Sequence, residues 1–313
     1  MVNHIIQSHS NDDLDFTAIL YPFNAKVAIW IWKQHLYSKY VKYICEHRLE
    51  QAKIVMPNLE ILRECPSLRY LCICPASDSP LIYDYTPLYD MEEIRDLTFS
   101  NHIGDRIVTG LDCSKIKGLI SLGVDNINGA TNYNRLELLK TLHVGKFRSS
   151  STDLTNLFCS TQLDTLVLHE SLEHSLNGIE RSPKMQYVEL SYNRQLCDIT
   201  ALKGVRNSIR SLNIYNCSKI EDFSVSGELE NLEKLTIVGG NVLPNLDFIK
   251  PLKNLKTLEL GVTVADGNLT PCLDLQWAHL WRNKKHYNLR DQDLPKIAYT
   301  HGNEDIEEWR RLE

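Results

Sequence analysis

Nine times between Leu68 and Leu260 the chain repeats one apolar phrase, with leucine-type residues at positions one, four and six. The middle residues of the nine copies are Leu71, Leu97, Leu122, Leu142, Leu166, Val188, Leu212, Leu235 and Leu258, separated by 26, 25, 20, 24, 22, 24, 23 and 23 positions. A fixed period in the twenties means that each unit is one strand plus a return segment. No such unit can bury its apolar face alone, so neighbours must stack. The spacing therefore predicts an α/β solenoid: a curved parallel sheet of about nine to eleven strands, one per repeat, with its side chains alternating between core and open face.

The returns carry their own pattern. Ile249, Leu252, Leu255 and Leu258 stand three apart, as do Cys113, Ile116, Leu119 and Leu122. A period of three suits short 3-10 turns or extended segments on the convex side rather than long α-helices. Residues 153–158 and 229–232 have room for one helical turn.

Residues 1–66 differ from the array of 67–266. Two strands, 16–21 and 27–32, flank a turn at Pro22, and a further strand is expected at 52–55. Between them Tyr37, Tyr40, Tyr43, Ile44 and their neighbours follow helical spacing. An open sheet must cover its first edge, and a hairpin with a helix serves as an N-terminal cap. Residues 267–313 are expected to hold the opposite cap and, from His301, a charged tail that is frayed or forms a surface helix. There the run 277–287, with Trp277, Trp281, Lys284 and Lys285, reads as a capping helix with tryptophans inward, or else as a basic-aromatic binding patch.

This organisation resembles the compact leucine-rich repeats of internalins and of the protein-phosphatase-1 regulator type. The run 246–260, LDFIKPLKNLKTLEL, is similar to an internalin unit, and the resemblance covers residues 59–262. It implies an Asn or Cys three residues after the last strand leucine, bonding the backbone of neighbouring turns. Only Asn193 and Cys217 match; the other units carry Ala76, His102, Ile127, Phe147, Ser171, Gly240 and Thr263. The ladder is expected to be broken and the repeat geometry irregular.

Composition narrows the function. The formal net charge is −6, so no basic excess exists to displace phosphate counterions, and nucleic acid is not the expected partner. The first sixteen residues lack the pattern of a secretory signal, and the longest apolar run, 27–32, is far short of a membrane span. The nine cysteines are odd in number and several fall at core positions, which fits reduced thiols and a cytoplasmic location.

The open-face positions lie one before, one after and three after each middle residue. They include Ser121, Gly123 and Asp125; Thr141 and His143; Thr165, Val167 and His169; Tyr187, Glu189 and Ser191; Ser211, Asn213 and Tyr215; Lys234 and Thr236; Thr257 and Glu259. Aromatic and polar side chains on a rigid surface suit protein recognition. Asp125, His143, His169, Tyr187, Glu189 and Tyr215 are the candidate partner-binding residues, and the acidic bias of the face points to a partner with a basic patch. His143, His169, Asp125 and Glu189 could also serve as acid–base groups or metal ligands, but no HExxH, paired CxxC or nucleophile elbow accompanies them. Cys72 and Cys74 form only a C-x-C. No cofactor, metal or catalytic residue is expected.

The expected function is a non-enzymatic protein-binding module. A resemblance to cytosolic immunity proteins would make the partner a toxin. Two other readings stay open: an adaptor or regulator of a phosphatase or ligase, and an enzyme with a concave-face site.

Overall fold

The computed structural model describes residues 14–21, 24–74, 84–100, 109–157 and 160–297, with the side chains of 17–27 excepted. The Pro22 turn, Cys159, the ladder positions Ala76 and His102 and the tail from His301 lie outside them. Two compact units emerge, Met1–Leu139 and Lys140–Glu313.

The first unit begins with an antiparallel pair, β1 (Asp15–Tyr21) and β2 (Asn24–Ile31). Four strands then add in parallel: β3 (Gln51–Ile54), β4 (Tyr70–Ile73), β5 (Asp96–Phe99) and β6 (Ser121–Val124). The one long helix among the described residues, α1 (Tyr37–His47), buries Tyr40 and Ile44, one turn apart, and stops at Arg48, whose φ of 48° breaks the helical path. Of the three tyrosines expected on one face only Tyr40 is sealed. The Tyr37 hydroxyl donates to Glu64 at 2.7 Å in α2 (Ile61–Glu64), and Tyr43 stacks on His47. A second single-turn helix, α3 (Thr86–Tyr89), has Pro87 in its first turn, where the missing N–H costs nothing.

The second unit is parallel throughout: β7 (Thr141–Gly145), β8 (Thr165–His169), β9 (Tyr187–Ser191), β10 (Ser211–Tyr215), β11 (Lys234–Leu243), β12 (Thr257–Val264) and β13 (Trp277–Leu280). Every apolar phrase lands on its own strand, and the middle residues align in register, Leu212 opposite Val188 on one side and Leu235 on the other. All three are fully buried. Burying a leucine side chain is worth about 1.5–3 kcal/mol, so the aligned column supplies a continuous apolar seam.

Most returns are 3-10 turns, as the three-residue period predicts: Ile179–Arg181, Thr200–Val205, Ser224–Glu228, Asp247–Ile249 and Thr270–Asp274 in this unit. No helix forms at 154–157 or 229–232; these segments are turns. A polar repeat invisible to the leucine count starts the returns. An Asp or Asn side chain accepts the backbone N–H two residues on: Asp112 from Ser114, Asp153 from Thr155, Asp198 from Thr200, Asp222 from Ser224 and Asn245 from Asp247. These Asx turns hand the chain from its extended stretch into the 3-10 turn, or after Asp153 into a plain turn.

Strand ends also repeat. Lys146, Glu170, Tyr192 and Asn216 each follow a strand with φ between 51° and 56°, a left-handed conformation that non-glycine residues rarely hold. Their N–H groups donate to carbonyls of the next strand, those of His169, Ser191, Tyr215 and Val238, at 2.8, 2.9, 2.8 and 2.7 Å, which compensates the local cost. Beyond this bend sits the ladder. Asn193 accepts from the Ser171 N–H and donates to the Leu168 carbonyl, both at 2.8 Å, and the Cys217 thiol lies 3.6 Å from the Leu190 carbonyl. A further rung comes from Asn241, which donates to the carbonyls of Cys217 and Ile220. It stands one position later than the expected Gly240 because the β11–β12 register slips between Val238 and Val242.

The C-terminal tryptophans are a correction. Residues 277–280 form β13 rather than a helix, hydrogen-bonded in register to β12. Period two therefore decides the faces: Ala278 and Leu280 are buried in the core, whereas Trp277 is half-buried and Trp281 exposed. Leu273 is exposed, and Leu269, Cys272, Tyr287 and Leu294 are the residues buried at this end. The Tyr287 hydroxyl bonds the Val264 N–H at 3.0 Å.

Candidate functional site: the open sheet face of the second unit

Strand register assembles the open face into rows. The central row runs His143, Val167, Glu189, Asn213, Thr236, Glu259, His279, one residue per strand from β7 to β13. Beside it run Thr165, Tyr187, Ser211 and Lys234 on one flank and His169, Ser191, Tyr215 and Val238 on the other. Neighbouring strands lie about 4.8 Å apart, so long and short side chains in a row decide relief. Asn213 and Thr236 are short and sealed, at 1% and 0% exposure. Glu189 and Glu259 stand on either side of them, three strand steps or about 14 Å apart at the backbone.

Both carboxylates are held by neutral donors. The Tyr187 hydroxyl donates to Glu189 at 2.7 Å, and the Trp281 indole N–H to Glu259 at 2.6 Å. Among the described residues neither carboxylate has an ion pair, although Glu233 on the return side takes both Arg210 and Lys256. The face thus keeps two uncompensated negative charges. Their effect is felt between them: burial first, then Glu189 and Glu259, push the Tyr215 hydroxyl above its usual range. Tyr187 moves the same way through burial and Glu189. Both phenols remain neutral at physiological pH and present a polar tip on an apolar ring. Asn213 donates to Ser211 at 3.1 Å, leaving its side-chain oxygen sealed without a partner.

The six candidate residues fall into four places. Tyr187, Glu189 and Tyr215 come together on β9 and β10. His169 forms a separate contact set at the end of β8: its Nδ1 is 2.9 Å from the Ser191 hydroxyl, its ring meets Tyr192 edge to face at 5.5 Å, and its Nε2 is 3.7 Å from Glu170. His143 is half-buried on β7, two strands from Glu189. Asp125 belongs to the first unit, exposed just beyond β6.

Several other open-face positions are covered by their neighbours. Thr165, Val167 and Ser191 are 6–7% exposed, so this face is less solvated than alternation alone implies. Three residues extend the site beyond the candidates. Glu259 was visible as an outward position, whereas Trp281 and His279 became part of the face only once 277–280 proved to be a strand. Their signal was the alternation Trp-Ala-His-Leu-Trp. His279 Nδ1 lies 3.0 Å from Asp291, which Lys296 also contacts. No group of three or more His, Cys, Asp or Glu residues able to hold a metal occurs among the described residues, and none of their helices is long and apolar enough to cross a membrane.

No protein-family profile matches the chain. A putative adenylate cyclase regulatory protein of Trypanosoma equiperdum is 30% identical over 165 residues, covering 50% of this chain and 26% of that protein. The chain thus spans about a quarter of that relative. Among solved structures, TLR13 in its complex with ssRNA13 superposes with a TM-score of 0.52 at 16% identity, over 80% of this chain and 42% of TLR13. A leucine-rich repeat protein of Leptospira interrogans gives 0.39 at 14% identity, covering 82% of each chain. The functional domain of InlJ from Listeria monocytogenes gives 0.36 at 16%, over 74% of this chain and 64% of the domain. The repeat phrase, the strand register and the TLR13 superposition agree that the fold is an α/β leucine-rich repeat solenoid.

Proposed function

We propose that the protein is a non-enzymatic recognition module whose second unit binds a protein partner across the open face of β8–β12. The observation that carries this is the pair Glu189 and Glu259, held by neutral donors and uncompensated, on either side of Tyr215. Such a face favours a partner with a basic patch, where charge complementarity speeds encounter and selects orientation. His143 and His169 extend the face toward β7, while Asp125 is a separate acidic candidate of the first unit. A toxin with a basic surface, neutralised in the cytoplasm, is the partner class this reading favours.

The test is the salt dependence of association with a partner retained from native cells. Replacing both Glu189 and Glu259 by Gln should slow association about tenfold at low salt and flatten its dependence on ionic strength. Unchanged rates and an unchanged salt slope would remove the face from the interface. A second reading, regulation of another enzyme, is favoured by the regulatory name of the trypanosomal relative. It uses the same face, and the identity of the retained partner separates the two.

A further inference from the structure

Cys72 and Cys74 occupy adjacent open-face positions of the first unit, on β4 and just past its end. Their sulfurs are 3.7 Å apart. Both are nearly sealed, at 6% and 5% exposure, in a small cluster with Ala28, Val55 and Tyr70. Lys53 on β3 stands directly opposite Cys72 in the register, its ammonium 5.4 Å from the Trp30 ring centroid. Asp125 is the opposing charge that both thiols feel.

The two sulfurs are inequivalent. A hydrogen bond from Cys72, aided by Lys53 and opposed by burial and Asp125, holds the Cys74 thiol below its usual value, while Cys72 is raised. The remaining buried thiols go the other way. Burial pushes Cys65, Cys113 and Cys272 up to about 12 and Cys217 to about 11. A thiolate is the reactive form, so Cys74, through its contact with Cys72, is set apart from the other buried cysteines described.

We propose that Cys72 and Cys74 form a redox-reactive dithiol that a peroxide converts into a reversible intrastrand disulfide. The Cys74 thiolate attacks one oxygen of hydrogen peroxide, the O–O bond breaks, and hydroxide leaves, giving a sulfenic acid at Cys74. The Cys72 sulfur then attacks the Cys74 sulfur, losing its proton. The S–O bond breaks, water leaves, and the S–S bond closes. Two thiols lose two electrons and two protons, and the peroxide becomes two waters. Alternate residues of a strand are about 6.6 Å apart, within the span a disulfide bridges. Closing the sulfurs from 3.7 Å therefore asks for side-chain rotation and a small backbone adjustment at the strand end.

The test treats the full chain with hydrogen peroxide, alkylates the free thiols and maps tryptic peptide 70–95, which holds both residues. The expected result is loss of two hydrogens within that peptide, at a rate about tenfold above alkylation-detected loss at Cys113 or Cys217, reversed by dithiothreitol. Cys72→Ser and Cys74→Ser should each abolish the two-hydrogen loss, and Lys53→Gln should slow it several-fold. Both thiols remaining alkylatable in the wild-type chain, or a bond forming between Cys45 and Cys65 instead, would overturn the proposal. Because the wild-type map decides alone, a variant that fails to fold does not rescue it.

Discussion

Asn193 shows how much one side chain can hold in this fold. Its amide satisfies the Ser171 N–H and the Leu168 carbonyl of the preceding repeat, in a place 1% exposed. Asn193→Ala strips both groups of a partner where water cannot replace it. The expected loss is about 1–3 kcal/mol in chemical denaturation, and a change indistinguishable from zero would show that the rung is dispensable. Leu212 acts by volume rather than polarity. It is fully buried between Val188 and Leu235, so Leu212→Ala removes methyl groups from a seam that neighbours cannot close. A cost of about 2–5 kcal/mol is expected, spread beyond its own repeat. A shift below about half a kcal/mol would mean that the strand phase is misassigned.

Turns rather than strands set the response to acid. Asp112, Asp153 and Asp222 are all held below the usual carboxylate range, by the Asn132 side chain, the Ser151 hydroxyl and the Ser224 N–H respectively before any other favourable contact. The sign follows from linkage. These groups bind protons less readily folded than unfolded, so their contribution is complete above the unfolded value of 3.8 and fades as pH falls through the lower folded values. Unfolding measured between about pH 2 and 5 should therefore steepen toward acid. The variant carrying Asp112→Asn, Asp153→Asn and Asp222→Asn keeps the acceptor oxygens and should show a flatter profile. An identical slope in the variant would assign the acid sensitivity elsewhere.

The elements also separate what the chain announces from what it hides. Nine strands were legible because each needs two buried residues two apart, and Leu212 with Ile214 or Leu235 with Ile237 state that openly. The left-handed bends at Lys146, Glu170, Tyr192 and Asn216 were not, since glycine is the usual marker and none of these is glycine. The Asn241 rung was displaced by the slip in β11, which no local pattern records. At 277–280 the tryptophans misled: large rings suggest a buried helix face, whereas the short Ala278 and Leu280 are the residues that fill the core. For the site, alternation placed Tyr187, Glu189 and Tyr215 on one face, but the Tyr187–Glu189 bond depends on side-chain conformation, and the pairing of Glu259 with Trp281 on a partner beyond another strand.

At the scale of the whole molecule, the parallel strands of the second unit frame the proposed recognition surface. The rings of Tyr187 and Tyr215 stand on strands bonded on both sides, so little ordering entropy opposes their use. Buried aromatic anchors of this kind dominate affinity, each costing about 2 kcal/mol or more when truncated. The decisive measurement is partner affinity by calorimetry for Tyr187→Ala, Tyr215→Ala and Lys253→Ala, the last an exposed residue of the return side. The account predicts roughly thirtyfold weaker binding for each tyrosine variant and wild-type affinity for the lysine variant. Full affinity in both tyrosine variants, with loss only at Lys253, would contradict it.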